Sequence, residues 1–305
     1  MTTNFSDFID SVKKGMNARG YISNIQKVKK GNGVPLSGIT FYHGMACVSP
    51  IIYLEDFYQM FLEGLPMTEI LTKIENIFVE QSEKCDNLKE ILNFNFVKRK
   101  VMPCLVRKTG NSLLTDEIVS NEWHDLAVTF RIIFQDEKVG DISILISKHL
   151  LKLWPVTENE LANIAMENLK NCQMEFCSLR EKVSEFCSLQ EKVSEFPFFG
   201  YIDMATAINS CPPIYFMTNE ASYYGASMIL DKKNLEQIAR LLDGDFYLIP
   251  SSIHEMLCVP VNSDLDKDFL EYLLEDVNKT QVLPEEILEW HLYRYHVDKK
   301  ELTYP

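Results

Sequence analysis

Residues 223–261 constrain the fold of this chain more than any other segment. Their apolar spacing predicts a strand over residues 224–230, a helix over 233–242, a second strand over 246–249, a tight turn, and a third strand over 256–261. A unit of this kind has to bury the apolar faces of its strands beneath the helix. The chain is therefore predicted to fold by packing helices onto antiparallel strands.

The predicted tight turn carries four polar side chains between apolar strands: Ser251, Ser252, His254 and Glu255. A hydrolase needs a serine within hydrogen-bond reach of a base, and a third group that orients the base. The turn thus gives a hydrolase hypothesis with Ser252, His254 and Glu255 as candidate catalytic residues. The competing interpretation is a structural turn whose hydroxyls bond to nearby backbone N–H groups. The absence of a Gly-x-Ser-x-Gly motif favours the structural turn.

The sequence contains no complete metal or cofactor motif. His254 and Glu255 resemble the first half of a zinc-protease motif, but position 258 is a cysteine and the segment is predicted as a strand. His291 and His296 would lie on opposite faces of a regular strand. The eight cysteines form no Cys-x-x-Cys pair, and no Walker loop or dinucleotide-binding glycine pattern occurs. We therefore predict no metal site and no cofactor.

Composition and charge limit the partners. Hydrophobic residues make up 46% and charged residues 24% of the 305 residues, which is typical of a globular protein. The net charge of −14 disfavours binding to nucleic acid or to an anionic membrane. No apolar run approaches the roughly 20 residues that cross a bilayer, and the first residues lack the continuous apolar core of a signal peptide. We therefore predict a soluble, cytoplasmic protein with reduced thiols that binds neither nucleic acid nor membranes.

The first part of the chain is predicted to alternate helices with antiparallel strands. Asn32 and Gly33 give a two-residue turn signal between strands at residues 21–28 and 34–42. Thr157, three positions before a glutamate, has capping-box spacing at the start of a helix. Other helices are predicted over residues 4–17, 54–63, 68–83 and 265–277, and other strands over residues 47–52, 126–134, 142–146 and 214–218.

A ten-residue motif occurs twice in succession, from Phe176 and from Phe186, with one change of Arg180 to Gln190. Its apolar positions advance by three or four residues, which is typical of a helix. A duplication is tolerated best in a connector, and a short coiled-coil interface is the alternative. We predict an α+β fold of antiparallel hairpins and small sheets covered by amphipathic helices, in two halves with separate apolar interiors. The alternative is that the two halves pack as one body. The predicted division is an N-terminal α+β part (1–171), a helical connector (172–196) and a C-terminal α+β part (197–305).

Several ordered blocks resemble one known family. They include WHDLA at residues 123–127, VTENEL at 156–161, YLIPSSIHE at 247–255 and VNKTQVLPEEIL at 277–288. These blocks are similar to segments of the uncharacterised bacterial family known as domain of unknown function 5688. The resemblance covers nearly the whole chain apart from the repeat. It implies a bacterial cytoplasmic protein and leaves the biochemical function open, because the family has no established activity.

Two functional hypotheses remain. The first is a non-catalytic module that binds another protein, because no catalytic motif is complete. The alternative is a hydrolase-type enzyme around Ser252, His254 and Glu255. An enzyme needs a pocket that joins this turn to groups from distant strands, such as His291 or Tyr293. A binding module needs an exposed apolar patch instead.

Overall fold

The computed structural model describes residues 4–42, 50–85, 90–134, 142–182 and 212–304. Over these residues the chain forms three antiparallel sheets covered by helices, which confirms the predicted α+β fold. Within the same residues, no helix is both long enough and apolar enough to cross a membrane.

The N-terminal sheet packs against three helices. Its elements are α1 (Phe5–Ala18), β1 (Ile22–Lys29), β2 (Pro35–Tyr42), β3 (Ile52–Tyr53), α2 (Glu55–Leu62) and α3 (Met67–Cys85). The side chain of Asn4 caps α1 by accepting from the backbone N–H of Asp7 over 2.9 Å. The helix predicted over residues 4–17 is confirmed as α1, and its apolar face is packed inside, with Phe8 and Val12 fully buried.

The predicted hairpin is confirmed, with its loop shifted by one residue. Lys29 pairs with Pro35, so the loop spans residues 30–34, whereas the predicted strands leave residues 29–33 between them. Asn32 has the left-handed backbone conformation that its sequence signal indicates, with φ of 54°. The Asn32 side chain also bonds to residues outside the hairpin, and its oxygen accepts from the N–H of Arg107.

A four-stranded sheet is built around one long central strand. Its elements are α4 (Phe94–Val97), β4 (Val101–Arg107), β5 (Ser120–Trp123), β6 (Leu126–Phe134), β7 (Ile142–Leu145), α5 (Lys148–Leu151) and α6 (Glu158–Lys170). Strand β6 pairs with β4 on one side and with β5 and β7 on the other. The capping box predicted for α6 is confirmed, since Thr157 and Glu160 exchange side chain-to-backbone hydrogen bonds of 3.3 and 2.8 Å.

The largest sheet has six strands in the order β13-β12-β10-β11-β9-β8. Helix α7 packs on one face through Leu235 and Ile238, and helix α8 packs on the other face through Leu270 and Leu274. The helix and hairpin predicted within residues 233–261 are confirmed. The elements are β8 (Met174–Ser178), β9 (Tyr215–Asn219), a 3-10 helix (Gly225–Leu230), α7 (Lys232–Leu241), β10 (Phe246–Ile249), β11 (Met256–Pro260), α8 (Lys267–Thr280), β12 (Tyr293–His296) and β13 (Glu301–Thr303).

The strand predicted over residues 224–230 is wrong, because Gly225–Leu230 forms a 3-10 helix. Five successive residues of this helix are buried, whereas a strand with one exposed face would alternate buried and exposed residues. Ser227 accepts a hydrogen bond of 2.9 Å from the backbone N–H of Leu105, at the outer edge of β4. Burial of this helix between two sheets therefore accounts for its apolar residues without a strand.

The helical connector predicted over residues 172–196 is wrong at its beginning. Met174–Ser178 is strand β8, which pairs with β9 at the edge of the six-stranded sheet. Phe176, at the start of the repeat, stacks on Tyr215 with ring centroids 5.3 Å apart. Pairing with a free strand edge overrides the helical spacing of the motif. Residues 179–182 are helical, as predicted. The rest of the predicted connector, from residue 183, lies outside the described residues, and the division into parts stays a prediction.

The largest apolar cluster crosses the predicted division. It contains Leu105 and Leu161 from the N-terminal part together with Ile238, Leu248 and Tyr293 from the C-terminal part. Over the described residues the prediction of separate interiors is therefore wrong, and the shared cluster fits the alternative of one packed body. The reason is that the four-stranded and six-stranded sheets each have an apolar face, and side chains from both faces are buried in this one cluster.

Candidate functional site

The polar turn between β10 and β11 is closed by its own hydrogen bonds. The hydroxyl of Ser251 donates to Glu255 Oε1 over 3.1 Å. The backbone N–H of His254 donates to Ser252 Oγ over 3.0 Å, and the N–H of Ser252 donates to the Glu255 carbonyl over 3.2 Å. Ser251, Ser252 and Glu255 are buried. These bonds are those of a structural turn, as the competing interpretation of the sequence describes.

The ring of His254 points away from the serine hydroxyls. Its Nδ1 accepts from the backbone N–H of Tyr224 over 3.2 Å. Its Nε2 therefore carries the proton and faces Glu286 Oε1 at 3.6 Å. The structure thus brings Ser252, His254 and Glu255 together through the backbone, and the ring is oriented toward Glu286. Their assignment as catalytic residues stays a prediction.

Glu255 is the buried acid of this turn. Burial raises the pKa of its carboxyl to about 7, and the Ser251 hydrogen bond and the electrostatic interactions with His254 and Lys182 oppose the increase. The carboxyl therefore exchanges its proton close to neutral pH. Such values are common at functional sites, although structural networks also produce them.

A second polar cluster, which we call the Asp125 cluster, consists of Asp125, Glu289, His291 and Tyr293. Asp125 lies in the turn that joins β5 to β6. The other three residues lie just before β12 or at its start. The shared interior of the two sheets places these segments beside each other.

Short distances connect the members of the Asp125 cluster. His291 Nε2 lies 2.8 Å from Asp125 Oδ2, and His291 Nδ1 lies 3.9 Å from Glu289 Oε1. The Tyr293 hydroxyl donates to Asp125 Oδ1 over 2.8 Å. Burial, followed by this hydrogen bond, raises the pKa of Tyr293, so the phenol stays a donor. One imidazole and two carboxylates thus converge at a half-buried position.

The sequence contains no signal that joins these residues. The nearby histidine, His296, is predicted on the opposite face of the same strand, and Asp125 is far away in the chain. In the structure His296 lies on the other face of β12, where its Nδ1 is 3.3 Å from Asp245 Oδ2. The Asp125 cluster is therefore a product of tertiary packing alone.

The segment before β12 connects the two polar sites. The backbone N–H of Ile253 in the turn donates to the Glu286 carbonyl over 2.9 Å. Lys30 of the first hairpin forms an ion pair of 3.2 Å with Glu285. A few residues later, Glu289 enters the Asp125 cluster. One segment thus contributes contacts to both polar sites.

A pocket of about 330 Å³ lies between β12 and the start of α8. Lys267, Arg294 and His296 contribute positive or titratable groups to its lining. The carboxylate of Asp245 lies beside two of these groups. Its Oδ2 is 2.8 Å from Arg294 Nη2 and 3.3 Å from His296 Nδ1. A hydrogen bond from the Val297 N–H, followed by that from Arg294, lowers the pKa of Asp245. The charges of this pocket are therefore largely balanced within the protein.

The fold and these sites define an α+β protein with three antiparallel sheets and two polar clusters that share one segment. The chain belongs to the family of unknown function DUF5688, whose match covers residues 3–297. This membership confirms the resemblance seen in the sequence blocks. No curated protein and no solved structure matches the chain.

Proposed function

We propose that the protein binds another protein through the outer face of α8. The observation that supports this proposal is a pair of exposed aromatic side chains, Phe269 and Tyr272, one helical turn apart. Their exposed fractions are 47% and 66%. Tyrosine is among the residues that contribute most to protein–protein interfaces, and a neighbouring aromatic enlarges the apolar contact.

The charges around this pair indicate the partner's chemistry. Tyr272 is four residues from Asp268 and four from Asp276, so both carboxylates lie on its face of the helix. The opposite face of α8 is buried against the six-stranded sheet. A complementary partner therefore offers an apolar recess for two rings, surrounded by basic side chains.

The proposal is tested by cross-linking and affinity purification from extracts of the native host. The baits are the full chain, a variant with Phe269→Ala and Tyr272→Ala, and the control Leu241→Ala. Leu241 is 59% exposed on α7, so its truncation removes an exposed apolar group from another surface. We expect a cross-linked partner with the full chain and the control, and at least a tenfold loss with the double variant, because hot-spot truncation costs about 2 kcal/mol or more.

Equal recovery of that partner by the double variant, or cross-links that map away from α8, would contradict the proposal. High salt should weaken recovery by the full chain, since the proposed rim pairs are exposed. Circular dichroism of the variants confirms that the loss does not arise from unfolding.

We also propose that the protein functions in the cytoplasm. Two of the free cysteines, Cys104 and Cys258, are buried in the core without a disulfide. Burial raises the pKa of the Cys104 thiol to about 12, which keeps it protonated and unreactive. Reduced core thiols of this kind are compatible with a reducing compartment.

The hydrolase remains a second candidate because the pKa of Glu255, in the same turn as Ser252, is raised to about 7 by burial. It is tested with a panel of ester, phosphoester and peptide substrates, using the parent chain, Ser252→Ala and Glu255→Gln. Activity that disappears in both folded variants and follows an ionisation near pH 7 would support a hydrolase. Activity that both variants retain would contradict this assignment.

A further inference from the structure

We propose that Asp125, Glu289 and His291 form a binding site for a divalent metal ion of the zinc class. This inference is independent of the proposed protein-binding role, because α8 contributes none of the three ligands. It also differs from the sequence analysis, which predicts no metal site.

The spacing of the three side chains fits one ion. One ligand atom from each residue can be chosen so that all three lie within 4.8 Å of one another. Two ligands at zinc-bond lengths of about 2.0–2.2 Å are at most about 4.4 Å apart. Shifts of a few tenths of an ångström in the positions of the side-chain atoms therefore bring all three into coordination distance.

Two buried atoms of these side chains face each other. Over the described residues, Asp125 Oδ2 and His291 Nε2 make no hydrogen bond, either with each other or with a third group. They lie 2.8 Å apart, but the ring N–H direction does not point at the carboxylate oxygen. Two such atoms facing each other without an aligned proton are unfavourable. A cation between them satisfies both atoms, and this observation is separate from the spacing.

Surrounding groups already orient the ligands. The Tyr293 hydroxyl holds Asp125 through Oδ1, which leaves Oδ2 directed at the site. The backbone N–H of Trp290 donates to Glu289 Oε1 over 3.0 Å. The ring of Tyr304 stacks on His291 with centroids 5.7 Å apart. Outer contacts that fix ligand orientation are typical of protein metal sites.

The ligand types select the metal. An imidazole suits zinc and other transition metals, whereas magnesium and calcium prefer oxygen ligands only. Three protein ligands leave a coordination position for water, as in zinc sites that are not closed by a fourth side chain. Manganese accepts the same mixture of nitrogen and carboxylate oxygen and is the second ion to test.

The test measures zinc binding to the chelator-treated full chain at neutral pH, by titration calorimetry and by metal analysis after dialysis. The variants are His291→Gln and Glu289→Gln. The matched control is His254→Gln, because His254 is a half-buried histidine that also faces one glutamate. We expect one zinc ion per chain for the parent and the control, and at least about a tenfold weaker affinity for both site variants. Zinc should raise the melting temperature of the parent and the control only.

The inference is overturned if His291→Gln and Glu289→Gln bind zinc as tightly as the parent, or if the parent binds neither zinc nor manganese. The parent and the three variants contain the same cysteines, so any zinc that these thiols bind is equal in all four proteins. The test therefore compares the zinc affinities of the variants with that of the parent. If one site variant does not fold, the other provides the same comparison.

Discussion

The side-chain oxygen of Asn32 accepts a hydrogen bond of 3.1 Å from the backbone N–H of Arg107. The amide nitrogen of the same side chain donates to the carbonyls of Pro284 and Ile287. Arg107 ends β4, and Ile287 precedes the Asp125 cluster. One loop residue thus joins the first hairpin to the four-stranded sheet and to the segment that carries Glu289.

The substitution Asn32→Gly tests this junction. Glycine keeps the left-handed backbone at no steric cost but removes all three hydrogen bonds. We expect a loss of about 2–3 kcal/mol in the free energy of unfolding, measured in urea, since partly buried groups lose their partners. The control is Asp243→Gly, which has the same φ of 54°. The control should change stability by no more than about 0.5 kcal/mol, and an equal loss in both variants would contradict the role of Asn32.

The substitution Gly225→Ala should destabilise the 3-10 helix and displace His254. A Cβ atom at Gly225 would lie 2.6 Å from the His254 carbonyl oxygen and 2.7 Å from the Asn219 nitrogen, both backbone atoms. We expect a loss of about 3 kcal/mol in thermal or urea unfolding. Gly110→Ala is the control, because it meets no atom within 4 Å and carries only the strain of its φ of 71°. Its cost should be about 1 kcal/mol.

The pH dependence of stability should report the buried carboxyl of Glu255. Its pKa rises from 4.5 in the unfolded chain to about 7 in the folded protein, so the folded state binds the proton more tightly. The stability from this group is fully present below the unfolded pKa and is lost as pH rises through the folded pKa. Glu255→Gln removes the titration. We expect the stability of the variant relative to the parent to increase by about 3 kcal/mol between pH 4.5 and pH 7.

Urea denaturation of both proteins at several pH values measures this difference. Ser251→Ala serves as a further check. The Ser251 hydrogen bond lowers the pKa of Glu255, so its removal should shift the transition to higher pH. A stability difference that does not change with pH would show that Glu255 is not the titrating group.

Tyr293→Phe should weaken zinc binding and leave the fold intact. The ring stays packed in the shared interior, and only the hydroxyl that orients Asp125 is removed. We expect zinc affinity to fall by about tenfold and the free energy of unfolding to fall by about 1 kcal/mol. Tyr215→Phe, whose ring stacks on Phe176, is the control for loss of a tyrosine hydroxyl. Unchanged zinc affinity in Tyr293→Phe would show that this bond does not orient the ligand.

The amino-acid sequence predicts the regular elements well where the signal is local. The capping residues of α6, the apolar stripe of α1 and the β10–β11 hairpin follow from side chains within a few positions of each other. Propensity, capping and periodicity act over this distance, so their outcome is already contained in the segment.

The polar turn and the bond between a serine hydroxyl and the backbone follow from the sequence, but the partners of the His254 ring do not. The sequence puts Ser252 and His254 two positions apart, which suggests a shared role. The structure assigns the hydroxyl to the backbone N–H and the ring to Tyr224 and Glu286. Side-chain direction at a turn depends on what packs above it, and here the 3-10 helix occupies that space.

By itself, the sequence determined the α+β class and the positions of its best-capped helices and its hairpins, because these depend on contacts between near neighbours. Only the tertiary structure decided that residues 174–178 form an edge strand, that Gly225–Leu230 is a 3-10 helix, and that Asp125 meets His291. Each of these depends on a surface supplied by a distant segment. The free energy of burying that surface exceeds the local preference of a few residues.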